Sequence, residues 1–357
     1  MKWLERDSHI LLLSYRLVIT KVEDYKYRKL LLQVAYATCR GSFFSLLRKD
    51  ISEMKMNIGL IQFTPGMGPV SVPSNRKKVV ELIENAMAAD VRPDLLMLPE
   101  NWQATTDRVS KAKMTPKQKS DAMKEPIDGE SITMLRELAK KYHVWIAAGS
   151  IVLEKVKGEK PYNSMVIIDR DGEVAAVYDK THLCEWVHEN DGVAYGSGIV
   201  PVETEFGILA PILCYDIRFQ ELIRGYALAG AKFLLVPACF QTNLAQWRAL
   251  LQARATENQM FVLGCGCCGD NPPEFKGQPY KVDDADQQLL SGQSFVHYMG
   301  HSMVVDPTGK ILAEAGDDEC ILRVTIDTER VEKVRAGVFY IDSLRPNAYS
   351  HYKELLK

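Results

Sequence analysis

One cysteine lies where a strand-like pattern changes into a helix-like pattern. The apolar run 207–213 ends at Cys214, and residues 215–222 carry the spacing of an amphipathic helix. A tight turn between a strand and a helix exposes its side chain above the edge of a sheet, where backbone N–H groups converge. This context favours Cys214 as a nucleophile, and a buried core thiol is the alternative.

The other seven cysteines have weaker contexts. Three stand singly in apolar stretches, where most cysteines are small buried hydrophobes: Cys39, Cys239 and Cys320. Cys184 follows His182 in a polar segment and is a weak candidate. A glycine-rich run lacks the paired C-x-x-C halves of a zinc site and is predicted to be strand; it contains Cys265, Cys267 and Cys268.

Two further apolar runs end in charged residues. Residues 93–99 lead into Glu100, and residues 174–179 lead into Lys180. In sheets of α/β type, functional groups gather at strand ends. We therefore expect Glu100, Lys180 and Cys214 to surround one pocket, although either charge alone could be a solvated loop residue.

These three residue types suit acyl transfer from an amide. A carboxylate can accept the proton of a thiol, and the thiolate can attack a carbonyl carbon and form a thioester. Glu100 would be the base, and Lys180 with the backbone N–H of Tyr215 would stabilise the oxyanion. Water would then cleave the thioester with help from the same carboxylate. The rival within enzymes is a Cys–His hydrolase or transferase in which His182 or His188 is the base.

Three sequence blocks around these residues resemble the signature blocks of the nitrilase superfamily of carbon–nitrogen hydrolases: residues 98–100, 178–183 and 214–222. Further matches are residues 57–63, 254–258 and 301–309, so that the resemblance covers the chain from 56 to about 350. It implies an α/β fold, a four-layer αββα sandwich. It also implies a hydrolase acting on carbon–nitrogen bonds other than peptide bonds.

The resemblance assigns two further residues. The superfamily has a second acidic residue between the lysine and the cysteine that orients the lysine, and Glu189 fits it best, with Glu185 as the rival. The blocks most resemble the omega-amidase and deaminated-glutathione amidase branch, which acts on small amides that carry carboxylates. Arg218 could bind such a carboxylate through its two-pronged guanidinium. Alternatively, Arg218 pairs with Asp216 or Glu221.

The resulting hypothesis is a cysteine amidase without cofactor or metal that releases ammonia from a small carboxamide. Within the superfamily, deaminated glutathione, nitriles and N-carbamoyl compounds remain alternative substrates. A catalytically silent nitrilase-like binding protein is the alternative outside enzymes. The resemblance also implies a homodimer, formed through helices near the nucleophile and through a C-terminal tail that includes residues 338–341 and 344–349.

The composition of the chain indicates which classes of partner and which cellular compartment are favoured. The net charge of the 357-residue chain is −2, with 25% charged residues, which favours neither nucleic acid nor a membrane surface as a partner. No run of 18 uncharged apolar residues predicts a membrane span. Eight irregularly spaced cysteines indicate reduced thiols and a cytoplasmic location. We expect residues 1–55 to be a poorly ordered or dispensable N-terminal extension and residues 56–357 to be the hydrolase domain.

The chain past residue 56 alternates strand and helix patterns. Ser74 is predicted to cap a helix whose apolar face includes Val79 and Ile83. A hairpin is predicted between strands at 163–168 and 173–178. The polar segment 270–293 is predicted to be a loop at the rim of the pocket or at an interface.

Three other sequence patterns suggest a binding role at first sight, but their context disfavours it. Residues 264–269 match a dinucleotide fingerprint, but prolines at 272 and 273 forbid the helix that must follow it. A metal site built from the polar residues of 182–188 is disfavoured because the spacing suits no familiar zinc pattern: His182, Cys184, Glu185 and His188. The basic stretch 111–119 is predicted to be a solvated flank.

Overall fold

The computed structural model of the protein describes residues 55–105, 114–240, 243–271, 296–349 and 351. Apart from its last residue, the predicted extension 1–55 lies outside these residues, and so does most of the predicted loop 270–293. No helix in the described ranges is long and apolar enough to cross a membrane.

The first sheet has, among the described residues, seven strands: β1 Lys55–Gln62, β2 Leu95–Met97, β3 Trp145–Ala147, β4 Ile151–Leu153, β5 Tyr162–Ile168, β6 Val174–Asp179 and β14 Cys320–Asp327. Their order is β14-β1-β2-β3-β5-β4, and β6 also pairs with β5. Strands β1, β2 and β3 run parallel, whereas β14 and β5 are antiparallel to their neighbours. The predicted hairpin at 163–178 is confirmed as the antiparallel β5–β6 pair.

The second sheet contains β7 Leu209–Pro211, β8 Phe233–Ala238, β9 Phe261–Gly266, β12 Met303–Val305 and β13 Ile311–Glu314. Its order is β13-β12-β9-β8-β7, with β7, β8 and β9 parallel. A separate antiparallel ribbon pairs β10 Cys268–Asn271 with β11 Val296–Met299. The prediction that the glycine-rich run with Cys265, Cys267 and Cys268 forms strand is confirmed by β9 and β10.

The described helices are α1 Val72–Met87, α2 Pro116–Met123, α3 Glu130–Tyr142, α4 Glu189–Gly192, α5 Gln220–Leu228, α6 Leu244–Asn258 and α7 Arg330–Gly337. Helices α1 and α3 cover the outer face of the first sheet, and α5 and α6 cover the outer face of the second. Short 3₁₀ turns occur at Pro69–Ser71, Glu185–Val187, Cys214–Arg218 and Pro346–Tyr349. Helix α1 begins earlier than predicted, because Pro73 is compatible with a first helical turn. The prediction that Ser74 caps α1 is therefore wrong: Ser71 is the N-cap residue, and Ser74 lies inside the helix.

Alternating apolar residues in the strands divide the interior into layers. Leu95 and Met97 face the space between the two sheets, where they meet Leu235 and Leu263 from the second sheet. The intervening Leu96 faces outward into a second core, shared with α1 and α3. A third core lies between the second sheet and helices α5 and α6. The predicted four-layer αββα sandwich is confirmed.

A sharp turn after β3 braces the segment that carries Glu100. Leu98 N donates to Ala147 O, and the Trp102 indole donates to Ala148 O, so the two segments lie side by side. Gly149 makes this approach possible, because its φ is +59° and a Cβ there would lie 2.0 Å from Pro99 O. The backbone on either side of Glu100 is thus fixed by neighbouring main chain.

We predict that Gly149→Ala destabilises the protein far more than Gly158→Ala. Both glycines have positive φ, but a Cβ at Gly158 meets nothing within 4 Å. The Gly158 change should cost only the backbone strain of about 1–2 kcal/mol, whereas the Gly149 change must also displace the Pro99 carbonyl. Urea unfolding of the two variants measures the difference, and equal midpoints would contradict the prediction.

Candidate active site

A buried lysine lies between two carboxylates. Lys180 directly follows β6, and its Nζ is 2.9 Å from Glu100 Oε1 and 3.0 Å from both carboxylate oxygens of Glu189. Lys180 and Glu100 are each only 2% exposed. Burial alone would lower the pKa of the Lys180 ammonium, but the charges of Glu100 and Glu189 outweigh burial and hold this pKa well above its usual value. Lys180 is therefore a fixed cation.

Glu189, rather than Glu185, contacts Lys180. Besides Lys180, the Glu189 carboxylate accepts hydrogen bonds from Cys184 N at 2.8 Å and from Asn163 Nδ2 at 3.0 Å. Burial raises the pKa of Glu189, but Lys180 and these donors lower it below its usual value. Glu185 is exposed and accepts a hydrogen bond from the Tyr195 hydroxyl. The structure thus places Glu189 at the site and Glu185 away from Lys180.

Both oxygens of Glu100 accept hydrogen bonds. Oε1 accepts a hydrogen bond from Lys180 Nζ and a second one, at 3.3 Å, from Asn163 Nδ2. Oε2 accepts a hydrogen bond from the backbone N–H of Cys239 at 3.0 Å. Cys239 also donates its S–H to Glu100 O at 2.9 Å and lies 3.3 Å, sulfur to sulfur, from Cys267. The prediction that Cys239 is a small buried hydrophobe is wrong, since it is only partly buried and contacts Glu100.

Cys214 begins a 3₁₀ turn after β7. Its φ is +43°, a left-handed conformation that is strained in residues other than glycine. The predicted helix therefore starts later, because the 3₁₀ turn Cys214–Arg218 precedes α5. Burial raises the pKa of the partly exposed Cys214 thiol well above its usual value, Glu100 raises it further, and Lys180 lowers it. The surroundings of Cys214 therefore favour the protonated form of the thiol.

A buried carboxylate joins the Cys214 turn to the Lys180 segment. Asp216 is fully buried and accepts hydrogen bonds from the Tyr178 hydroxyl at 2.7 Å and from Leu213 N at 3.0 Å. It also accepts from His182 N at 2.8 Å, and the His182 ring Nδ1 lies 2.9 Å away. The sequence patterns gave no hint of this network, which ties the first sheet to the second.

The same network engages His182, the rival base of a Cys–His mechanism. The His182 ring contacts Asp216 and stacks on Phe219 with a centroid distance of 3.6 Å. His188 is exposed and lies 3.6 Å from Asp191. Within the described part of the chain, no three His, Cys, Asp or Glu side chains are grouped to hold a metal ion. Burial raises the pKa of the Cys184 thiol to about 12.

Arg218 does not pair with Asp216, one of the two partners given above as the alternative to a substrate-binding role. Its Nη2 donates to Gln246 Oε1 at 3.0 Å, and its guanidinium lies over the rings of Tyr215 and Phe240 at 5.6 and 5.5 Å. Its Nε is buried without a hydrogen-bond partner in the described ranges. None of these contacts neutralises the charge of Arg218.

Lys119 is not the solvated flank that its sequence context predicts. It lies on α2, which a capping box of Thr115 and Gln118 begins, and it is only partly exposed. Burial lowers the pKa of Lys119, whereas Cys239, Glu100 and Glu189 raise it. These interactions indicate that the ammonium lies on the side of α2 facing the site. The neighbouring residues 111–113 and Cys39 lie outside the described residues.

A model of the carbon–nitrogen hydrolase family matches residues 57–336. The chain belongs to this family. It is 32% identical over 298 residues to the 2-oxoglutaramate amidase of Bacillus subtilis, covering 83% of this chain and all of the relative. It is 29% identical over 313 residues to the omega-amidase NIT3 of Saccharomyces cerevisiae, covering 84% and 97%. The rat deaminated glutathione amidase is 30% identical over 240 residues, covering 64% and 67%.

Solved structures of the family share the fold. The yeast Nit3 structure, a member of branch 10 of the nitrilase superfamily, has a TM-score of 0.63 at 28% identity and covers 80% of this chain and 94% of its own. A carbon–nitrogen hydrolase from Helicobacter pylori has a TM-score of 0.69 at 24% identity, covering 85% and 99%. The predicted nitrilase superfamily, the resemblance to its omega-amidase and deaminated-glutathione amidase branch, and the expectation of a carbon–nitrogen hydrolase are confirmed.

We predict that Lys180→Met destabilises the carbon–nitrogen hydrolase by about 3–5 kcal/mol at neutral pH, because it leaves buried carboxylates without their cation. Since Lys180 lowers the folded-state pKa of Glu189, this carboxylate stabilises the fold above its unfolded pKa of about 4.3 and stops doing so as the pH falls through the folded value. The loss of stability of Lys180→Met relative to the wild type should therefore become smaller as the pH falls to about 4.

Urea unfolding at several pH values measures this deficit. Lys78→Met is the matched control, because Lys78 pairs at 2.7 Å with Glu319 and both side chains are 39% exposed. An exposed pair contributes about 0–1 kcal/mol. A Lys180→Met deficit as small as that of Lys78→Met would show that the buried cation is not needed for stability.

Proposed function

We propose that the protein hydrolyses a small carboxylate-bearing amide to the acid and ammonia through a thioester on Cys214. The observation that carries this proposal is the Lys180 ammonium held between Glu100 and Glu189, in electrostatic contact with the Cys214 thiol. A protonated thiol, a carboxylate and a fixed cation are the groups that acyl transfer requires. No cofactor or metal is needed for these steps.

In the first half-reaction, Cys214 Sγ attacks the amide carbon while its proton passes to Glu100. The carbonyl oxygen becomes negative, and the Lys180 ammonium with the Tyr215 N–H at the start of the 3₁₀ turn stabilises it. The carbon–nitrogen bond then breaks, and Glu100 returns the proton to the departing nitrogen, which leaves as ammonia. Cys214 now carries the acyl group as a thioester.

In the second half-reaction, a water molecule enters after ammonia has left and cleaves the thioester. Glu100 accepts a proton from the water as its oxygen attacks the thioester carbon, and the same oxyanion donors act again. The carbon–sulfur bond breaks, the acid leaves, and the proton on Glu100 restores the Cys214 thiol. In this mechanism Glu189 orients Lys180 and keeps it charged. His182 is disfavoured as the base because its ring is engaged by Asp216 and Phe219.

The charges around the site support an anionic substrate. Besides Lys180, the Arg218 guanidinium lies close enough to the site to act electrostatically on Cys184. Arg218 is the best placed to bind a substrate carboxylate, since its polar partner is the neutral Gln246. The names of two relatives, 2-oxoglutaramate amidase and omega-amidase, support this class of amide. Deaminated glutathione is the second candidate, favoured by the similarity to the rat enzyme.

We also propose a homodimer in a reducing, cytoplasmic compartment. The cysteines that the structure describes are free thiols. Exposed apolar side chains in the predicted tail support an interface there, namely Val338, Phe339 and Tyr340, of which Phe339 is 59% exposed. A mass in solution equal to one chain would contradict the dimer.

We predict that Cys214→Ala abolishes ammonia release across a panel of 2-oxoglutaramate-type amides, deaminated glutathione, nitriles and N-carbamoyl compounds. Glu100→Gln should lower kcat by about 10²–10⁴-fold, since it removes the base. His188→Ala should leave turnover unchanged. Activity that survives Glu100→Gln but not His182→Ala would favour the Cys–His mechanism instead, and folded wild-type protein inactive on every compound would favour a silent binding protein.

We predict that Arg218→Gln raises KM for a carboxylate-bearing amide by about 10–100-fold, because hydrogen bonds to charged groups contribute about 1.5–3 kcal/mol. KM for a neutral amide of the same length should hardly change. Arg136→Gln is the matched control, since Arg136 pairs with Glu173 at the protein surface. Equal effects on the charged and the neutral amide would exclude Arg218 as the carboxylate-binding residue.

A further inference from the structure

We infer that Asn163 is a positioning residue for the reaction proposed above, on which this inference rests: its amide nitrogen holds the Glu100 and Glu189 carboxylates side by side. Asn163 Nδ2 is 3.3 Å from Glu100 Oε1 and 3.0 Å from Glu189 Oε1. Lys180 Nζ contacts the same two oxygens at 2.9 and 3.0 Å. Two donors therefore bridge one pair of carboxylate oxygens.

The orientation of the amide supports this role. Asn163 is 3% exposed, and its Oδ1 is buried without a hydrogen-bond partner in the part of the chain that the structure describes. The reverse orientation would point Oδ1 at two carboxylate oxygens and is repulsive. A buried acceptor without a partner is unfavourable for folding. Such a local cost is typical of residues retained for function.

The main chain fixes the position of Asn163. It lies on β5 opposite Val152 of β4, and its carbonyl accepts a hydrogen bond from Lys180 N at 2.9 Å. Asn163 and Lys180 are thus neighbours through both backbone and side-chain contacts. The amide that bridges the two carboxylates is therefore held by a strand rather than by a loop.

A neutral donor suits this position better than a second cation. Lys180 alone cannot neutralise both carboxylates, and they repel each other at this separation. A second cation in place of Asn163 would reduce the repulsion but would also weaken Glu100 as a base. The amide dipole reduces the repulsion and leaves the negative charge of Glu100 available to the Cys214 proton.

The test compares Asn163→Ala with Asn75→Ala. Asn75 is a matched control because it is also buried, at 5% exposure, and its amide contacts neutral backbone groups, with Nδ2 donating to Gln103 O at 2.8 Å and Oδ1 accepting from Gly66 N at 2.9 Å. Asn163→Ala should lower kcat by about 10–100-fold with little change in KM, as expected for misplaced catalytic groups. Asn75→Ala should leave kcat unchanged.

The pH dependence separates positioning from a structural role. Asn163 lowers the folded-state pKa of Glu189, so its loss should raise that pKa and move the acid limb of the kcat/KM profile to higher pH. The stability that an ionised Glu189 contributes above its unfolded pKa should also diminish. The deficit in Tm of Asn163→Ala should therefore shrink as the pH falls from about 7.5 to about 4, near the reference pKa of Glu. The deficit of Asn75→Ala should stay constant.

Asn163→Asp serves as a second variant if Asn163→Ala does not fold at neutral pH. It keeps the size of the side chain and adds a third carboxyl group, so its stability should recover strongly on acidification. The inference is wrong if the Asn163 variants lose stability independently of pH and the acid limb stays in place, even when kcat falls. Wild-type protein that releases no ammonia would refute the proposed function, whereas the Tm series would still decide whether Asn163 bridges ionised carboxylates.

Discussion

The structure around the site depends on keeping one ammonium charge inside the protein. Removing Lys180 from water is costly unless its charge is paired and its hydrogen bonds are satisfied. Glu100 and Glu189 provide this compensation from different segments, one after β2 and one at the start of α4. The strand ends, the short loops and the 3₁₀ turn before α4 are all arranged so that these three groups meet out of solvent.

A second buried charge fixes the position of Cys214 relative to that cation. Asp216 lies two residues after Cys214 and contacts Tyr178 and His182, which flank Lys180 in the chain. The two sheets are therefore linked by hydrogen bonds at the site as well as by the apolar layer between them. The relative position of thiol and ammonium is determined by buried polar contacts, which have well-defined geometry.

The sequence predicts the site residues that lie at strand ends. It does not predict those that strand pairing or tertiary packing brings to the site from other parts of the chain. Cys214, Glu100 and Lys180 each follow an apolar run, and that local signal survives in the structure. Asn163 lies within a strand, and the Cys239 N–H contacts Glu100 across 139 positions, so no local pattern reveals them. A basic stretch without interleaved aromatic residues predicts a solvated position for Lys119, whereas its partial burial depends on the packing of α2 against the segment that begins at Glu189.

The left-handed backbone conformation at Cys214 lowers the stability of the fold, while the proposed chemistry needs the thiol at this same position. Glycine is the residue that adopts φ of +43° most readily, so replacing Cys214 by glycine would relax the main chain and at the same time remove the sulfur. The strained backbone at Cys214 is therefore a local cost that comes with this side chain and that the fold itself does not require.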